Sequence, residues 1–177
     1  MSVKKEASGR RSIQGEVEVQ FAAERRSAES QVHALIAKFA PAHLRLIGAM
    51  RRSLRKRLPT ANEVVYEYHN QGAVVISYSP NEHGYDGVLA IRASADGVKL
   101  YFNQGKELPD PAKLLQGSSQ TRWINVEGAS TLARPEVVSL IDEALARNRG
   151  PFAGAGRGSV VMSRSTSAKK RRQRRPA

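Results

Sequence analysis

The chain has 177 residues, 40% hydrophobic and 25% charged, with a formal net charge of +13 and no cysteine. These are globular proportions at a length that supports one core, and the lack of cysteine excludes disulfides, thiolate nucleophiles and Cys-ligated metal clusters. The polar start MSVKKEASGRRS has no apolar run of the signal-peptide kind, and no stretch approaches the roughly 20 apolar residues of a membrane span, so a cytoplasmic protein with no membrane partner is expected.

Residues 1–27 mix charge, Ser and Gly with little apolar mass, which predicts a mostly disordered arm. From Ser27 to Phe39 the residues Val32, Leu35, Ile36 and Phe39 fall at i, i+3, i+4 and i+7 and predict a helix ending near Ala40. Pro41 suits the first turn of a second helix, with Leu44, Ile47, Leu54 and Leu58 facing inward until Pro59 stops it. The period then shortens to two. Val64, Tyr66 and Tyr68 alternate, as do Val74, Ile76 and Tyr78 after the turn at 69–72, and Val98, Leu100 and Phe102 after Asp96-Gly97. GVLAIRAS (87–94) and TRWINVEG (121–128) supply two further strands, and a last helix begins at Pro135 and packs Val137, Leu140, Ile141, Ala144 and Leu145. The expected fold is α+β: two N-terminal helices, a five-stranded antiparallel meander and a C-terminal helix over residues 28–149, with helices on one sheet face. Its predicted core holds Val64, Tyr66, Ile76, Leu100, Phe102, Leu114, Leu115, Ile141 and Leu145. Residues 150–177 are rich in Gly, Ser, Ala and Arg, have no apolar period, and read as a disordered basic tail.

The segment YFNQGKELPDPAKLLQGSSQTRWI (101–124) resembles the signature of a family of small bacterial domains called YdhG-like. The likeness rests on Phe102, Gly105, Leu108, Asp110, Pro111, Leu114, Leu115, Gly117 and Arg122, and it extends over roughly residues 28–148, departing from the family at Pro109 and in its basic tail. It implies the fold, and, because some members are described as frataxin-like iron chaperones, it implies iron as a ligand. Apart from the resemblance, Leu-Pro-Asp-Pro restricts the backbone and lets Asp110 cap a turn, while Leu114 and Leu115 plug the core. The segment therefore reads as a rigid connector, with a ligand loop as the alternative. Arg122 is expected to pair with Asp110 or to meet a carboxylated ligand.

No residue set indicates catalysis. The four histidines form no HExxH pair, GSS at 117–119 is not a nucleophile elbow, and no carboxylate lies in an apolar run that would raise its pKa. A non-enzymatic binding module is expected. For iron, the candidate ligands are Glu63, Glu67 and Asp86, near His69, Glu82 and His83 at two hairpin ends, since hard carboxylates with an imidazole suit iron(II). On the sheet face away from the helices, Glu67, Tyr101, Trp123 and Asn125 are expected to form an amphipathic patch suited to a protein partner or a homodimer.

The charge is unevenly spread: residues 151–177 carry +8, the first twelve +3, and residues 13–150 only +2. Lys169, Lys170, Arg171, Arg172, Arg174 and Arg175 lie within eight positions, similar in composition to the arginine-rich RNA-binding peptide of the lentiviral transactivator, and predict phosphate binding without base readout. Arg45, Arg51, Arg52, Arg55, Lys56 and Arg57 on the second helix read as a solvated face. The alternative function is thus a nucleic-acid or polyanion binder acting through the tail.

Overall fold

The computed structural model describes residues 4–163. Helix α1 spans Lys4–Ile36, α2 spans Pro41–Arg57, and strands β1 (Asn62–Tyr68), β2 (Ala73–Ser79), β3 (Leu89–Ser94), β4 (Gly97–Phe102) and β5 (Arg122–Asn125) follow. Helix α3 (Pro135–Ala146) and a sixth strand, β6 (Val160–Met162), complete the fold. The sheet order is β5-β4-β3-β2-β1-β6, with β1 to β5 antiparallel neighbours and β6 parallel to β1.

The α+β class stands, but the sheet has six strands and is mixed rather than five and all antiparallel, and both ends of the prediction are corrected. The segment read as a disordered arm is helical from Lys4 onward, continuous with the helix expected to begin at Ser27. The segment read as tail contributes β6: the Glu63 amide donates to the Ser159 carbonyl and the Ser163 amide to the Val65 carbonyl, both at 2.9 Å. A strand of three residues gains little from propensity, and here it is held by pairing with a long neighbour. The tail residues 164–177, with Lys169, Lys170, Arg171, Arg172, Arg174 and Arg175, lie outside the described residues.

The core lies between the helices and one sheet face. Val32 and Ile36 of α1, Ile47, Met50 and Leu54 of α2, and Val137, Leu140, Ile141 and Ala144 of α3 meet Val65, Val74, Ile76, Tyr78, Leu89, Ile91, Val98, Leu100, Phe102 and Ile124 of the sheet. Leu114, Leu115 and Leu145 are half-buried at its margin rather than central to it.

In β1 the prediction has the two faces exchanged. Val65 sits opposite Ile76, and Glu63 opposite Tyr78, on the helix side, whereas Val64 and Tyr66 sit opposite Ser77 and Val75 on the other side. A one-residue change of phase sends every side chain of a strand to the opposite face. Val64 is buried all the same, and Tyr66 is half-buried, because the β2–β3 loop folds back over this face. There the Gly84 amide donates to Tyr66 Oη at 2.9 Å, and Ser77 Oγ donates to the Gly84 carbonyl at 3.0 Å.

Candidate functional site

The exchange of faces in β1 puts two carboxylates under the helices, and each is met by a cation. Glu63 is 2% exposed and is bonded by Arg51 Nη2 at 2.5 Å, Arg55 Nη2 at 2.6 Å and the Tyr78 hydroxyl at 2.9 Å. Glu29 of α1 closes the cluster by accepting from Arg51 at 3.0 Å and from Arg55. Two acids and two arginines thus cancel in charge around one buried oxygen pair. Burial disfavours the charged form of Glu63, but the hydrogen bonds from Arg51 and Arg55 outweigh it and hold the carboxyl below its usual range. Burial, followed by the negative charge of Glu63, pushes the Tyr78 phenol well above its ordinary value. The cluster is a clamp between α1, α2 and β1, in which both carboxylates are bonded by both arginines.

That geometry decides where the proposed iron ligands stand. Glu63 is saturated by the clamp, Glu67 accepts from Lys38 Nζ at 2.7 Å on the helix side, and Asp86 accepts from Asn81 at 2.8 Å in the β2–β3 loop. The hydrogen bond from Lys38 holds the Glu67 carboxyl low as well. The three do not share a site. Among the described residues, no group of three His, Asp or Glu side chains is placed to hold a metal ion.

The residues on which the resemblance rests lie along the β4–β5 connector and at the strand ends that flank it. Asp110 accepts from the backbone amides of Leu114 at 3.0 Å and Leu115 at 2.7 Å, which is the capping role expected of it. Phe102 is fully buried, Leu108 is buried, Pro111 is exposed, and Gly105 lies against the Arg122 side chain. Gly117 has a φ of 104°, and a side chain there would run into the Trp123 ring. Arg122 donates to the Ser119 carbonyl, so the expected pair with Asp110 is replaced by a bond internal to the connector. The expected open-face patch is present in part: Tyr101 and Trp123 stack with ring centroids 5.5 Å apart, and Lys99 Nζ lies 5.5 Å from the Trp123 ring. Asn125 is exposed on this face, but Glu67 is not on it.

Two concave surfaces were not foreseen as such. The first is a groove of about 770 Å³ between α1, the end of α2 and the loop leading into β6. Arg25 and Arg26 of α1, Lys56 of α2 and Arg157 of the loop line it, and among the described residues none of the four makes an ion pair. The acids lining it, Glu29 and Glu63, are those neutralised by Arg51 and Arg55, so the groove's surplus charge is positive. The sequence signal for it is spread over 132 positions from Arg25 to Arg157 and becomes visible only when β6 docks beside β1.

The second surface is a cavity of about 740 Å³ against the sheet face away from the helices. Tyr66 and Tyr68 of β1 and Tyr85 of the β2–β3 loop line it, with Val75 beneath and Arg147 and Arg149 from the chain beyond α3 at its side. The Tyr66 and Tyr68 ring centroids are 6.3 Å apart. Burial, then the neighbouring Tyr85 and Tyr66, raises the Tyr68 phenol above its ordinary value. No protein-family model, curated protein or solved structure matches the chain.

Proposed function

We propose that the chain is a nucleic-acid-binding module without catalytic chemistry, and that phosphate is the group it takes first. The observation that carries this reading is the groove in which Arg25, Arg26, Lys56 and Arg157 converge from three elements with no acidic partner among the described residues. Exposed, unpaired cations gathered on one concave surface sum to a positive potential and release condensed counterions when they meet a phosphate chain. The sequence supports the reading independently, since residues 164–177 add seven further cations and no acid. Folded groove and basic segment follow one another in the chain, joined by the three residues of β6.

The test is a salt titration of duplex DNA binding on the full chain and on a variant with Arg25, Arg26, Lys56 and Arg157 replaced by Gln. On duplex DNA each lost phosphate contact lowers the log–log salt slope by about 0.9, so the fourfold variant should lose about 3.6 units of slope. An unchanged slope would remove the groove from the interface, and absence of binding by the unaltered chain at low salt would end the reading altogether.

A further inference from the structure

We infer that the tyrosine-lined cavity on the open sheet face is a base-stacking site, and that the nucleic acid this protein prefers is single-stranded. The inference rests on the nucleic-acid reading above and adds to it the strand class and a second surface. Its starting point is an anomaly of exposure. Tyr68 is 40% and Tyr85 89% exposed, although a folded chain ordinarily keeps such rings at least partly covered.

Both rings stand on fixed backbone. Tyr68 ends a seven-residue strand paired along its length with β2. Tyr85 lies in a single helical turn, residues 84–86, whose first amide is held by Tyr66 Oη and whose last side chain, Asp86, is held by Asn81. A rigid aromatic that shows its face to solvent loses little conformational entropy when a planar partner stacks on it. The cavity they share has the volume of an ordinary ligand site, and its wall carries hydrogen-bonding groups as well as apolar ones, Val75 among them.

The charge around it selects the partner. Arg147 is bonded to Glu143 at 3.1 Å, Arg149 is exposed and makes no ion pair among the described residues, and Arg92 lies on the same sheet face, held by Gln71 at 2.9 Å; against these, Asp86 is the one acid among the cavity's lining residues, bonded to the neutral Asn81. In addition, the Ser163 amide donates to the Val65 carbonyl, at the β1 edge of the sheet that bears Tyr66 and Tyr68. Aromatic rings flanked by cations suit a ligand that alternates π faces with phosphates. In a duplex those faces are stacked inside, whereas a single strand can turn them outward onto a protein ring. The basic groove takes phosphates of either form, and only the tyrosines distinguish the two.

The experiment compares three fluorescent probes of equal length, each of about twelve nucleotides and so near one binding site, by anisotropy on the full chain at fixed salt. The probes are a mixed-sequence single strand, its duplex, and an abasic single strand with the same phosphates. The base-bearing single strand should bind on the order of ten-fold more tightly than the abasic one, and Tyr68→Ala with Tyr85→Ala should abolish that difference while leaving duplex binding unchanged. Tyr68→Phe with Tyr85→Phe should keep it, because the ring and not the hydroxyl does the stacking. Both residues are exposed, and an unchanged thermal midpoint would show that the Ala variants remain folded. Equal binding of the base-bearing and abasic strands, or an Ala variant indistinguishable from the parent, overturns the inference while leaving the phosphate reading intact. Failure of every probe to bind overturns both.

Discussion

Replacing Glu63 by Gln keeps the size of the side chain and removes its charge, and the clamp makes this the most consequential conservative change in the protein. In the parent, Glu63 accepts from Arg51, Arg55 and Tyr78 at once. A Gln there offers one acceptor oxygen and turns an amide donor toward guanidinium donors. Arg51, 9% exposed, would keep only Glu29, and the fully buried Tyr78 hydroxyl would compete for the single remaining acceptor. Breaking a buried pair by removing one partner costs about 3 to 5 kcal/mol. Arg55 adds little to that figure because its side chain is 37% exposed and water screens it. Against a total stability of about 5 to 15 kcal/mol for a domain, the loss is severe. Two further results follow from the same geometry. The Glu63 carboxyl titrates lower folded than unfolded, so its contribution is present above the unfolded carboxylate value of about 4.3 and is lost as pH falls through the folded value. The parent should therefore lose more stability than Glu63→Gln between neutral pH and about pH 3, and the gap between them should narrow in acid. Replacing the buried part of the cluster, as Glu63→Leu with Arg51→Met and Tyr78→Phe, should cost less than Glu63→Gln alone, since the half-exposed Arg55 keeps Glu29 and no buried charge is left without its partner. Urea denaturation at two pH values measures all of this, and a Glu63→Gln cost under about 1 kcal/mol would refute the claim that the clamp holds the helices to β1.

Truncation after Gly150 removes β6 and bares the β1 edge, and should lower the thermal midpoint by several degrees in a thermal scan, whereas truncation after Ser163 keeps β6 and should not. Gly158→Ala should be destabilising by more than about 1 kcal/mol, because a methyl group there meets the Ala61 carbonyl backbone, which cannot yield without breaking the bond from the Gly158 amide to the Pro59 carbonyl; denaturant midpoints would show it. Asp110→Ala removes the acceptor of two backbone amides and should cost about 1 to 2 kcal/mol by the same measurement, with hydrogen exchange quickening at Leu114 and Leu115 first.

The parts of the fold legible in the sequence are those where the apolar period and the local chemistry agree. The face of α2 that carries Ile47 and Leu54 and the alternation in β4 each mark one buried side, and Asp110 caps a turn only four or five residues away. β1 misled because NEVVYEY offers Val and Tyr on one side, and Glu, Val and Glu on the other. Hydrophobic pattern chooses the first side as the core, and the structure chooses the second, because Arg51 and Arg55 descend from α2 onto Glu63 and Lys38 reaches Glu67. The signal was present in α2: Arg51 stands one turn from Ile47 and beside Met50 and Leu54, on a stripe where a cation needs an acid. β6 escaped for another reason. Val160, Val161 and Met162 are apolar, but three residues make no period, and their partner β1 lies about a hundred positions earlier.

The same sorting of charges decides how the net +13 should be used. Of the six cations on α2, Arg51 and Arg55 belong to the clamp and Arg57 is bonded to Asp142, which leaves Arg45, Arg52 and Lys56 without an acid among the described residues. Only the last three can offer their full charge to a polyanion. A scan that replaced α2 cations one at a time would thus return two kinds of weakened binder. Arg51→Ala would bind poorly because helix and strand separate, with a fallen thermal midpoint and a stability deficit against the parent that narrows in acid. Lys56→Ala would bind less strongly with an unchanged midpoint and a salt slope lower by about 0.7 to 0.9. Affinity alone cannot separate these, but affinity read with its salt slope and thermal midpoint can. Loss of midpoint by Lys56→Ala, or loss of salt slope without loss of midpoint by Arg51→Ala, would mean that the boundary between clamp and groove has been drawn in the wrong place.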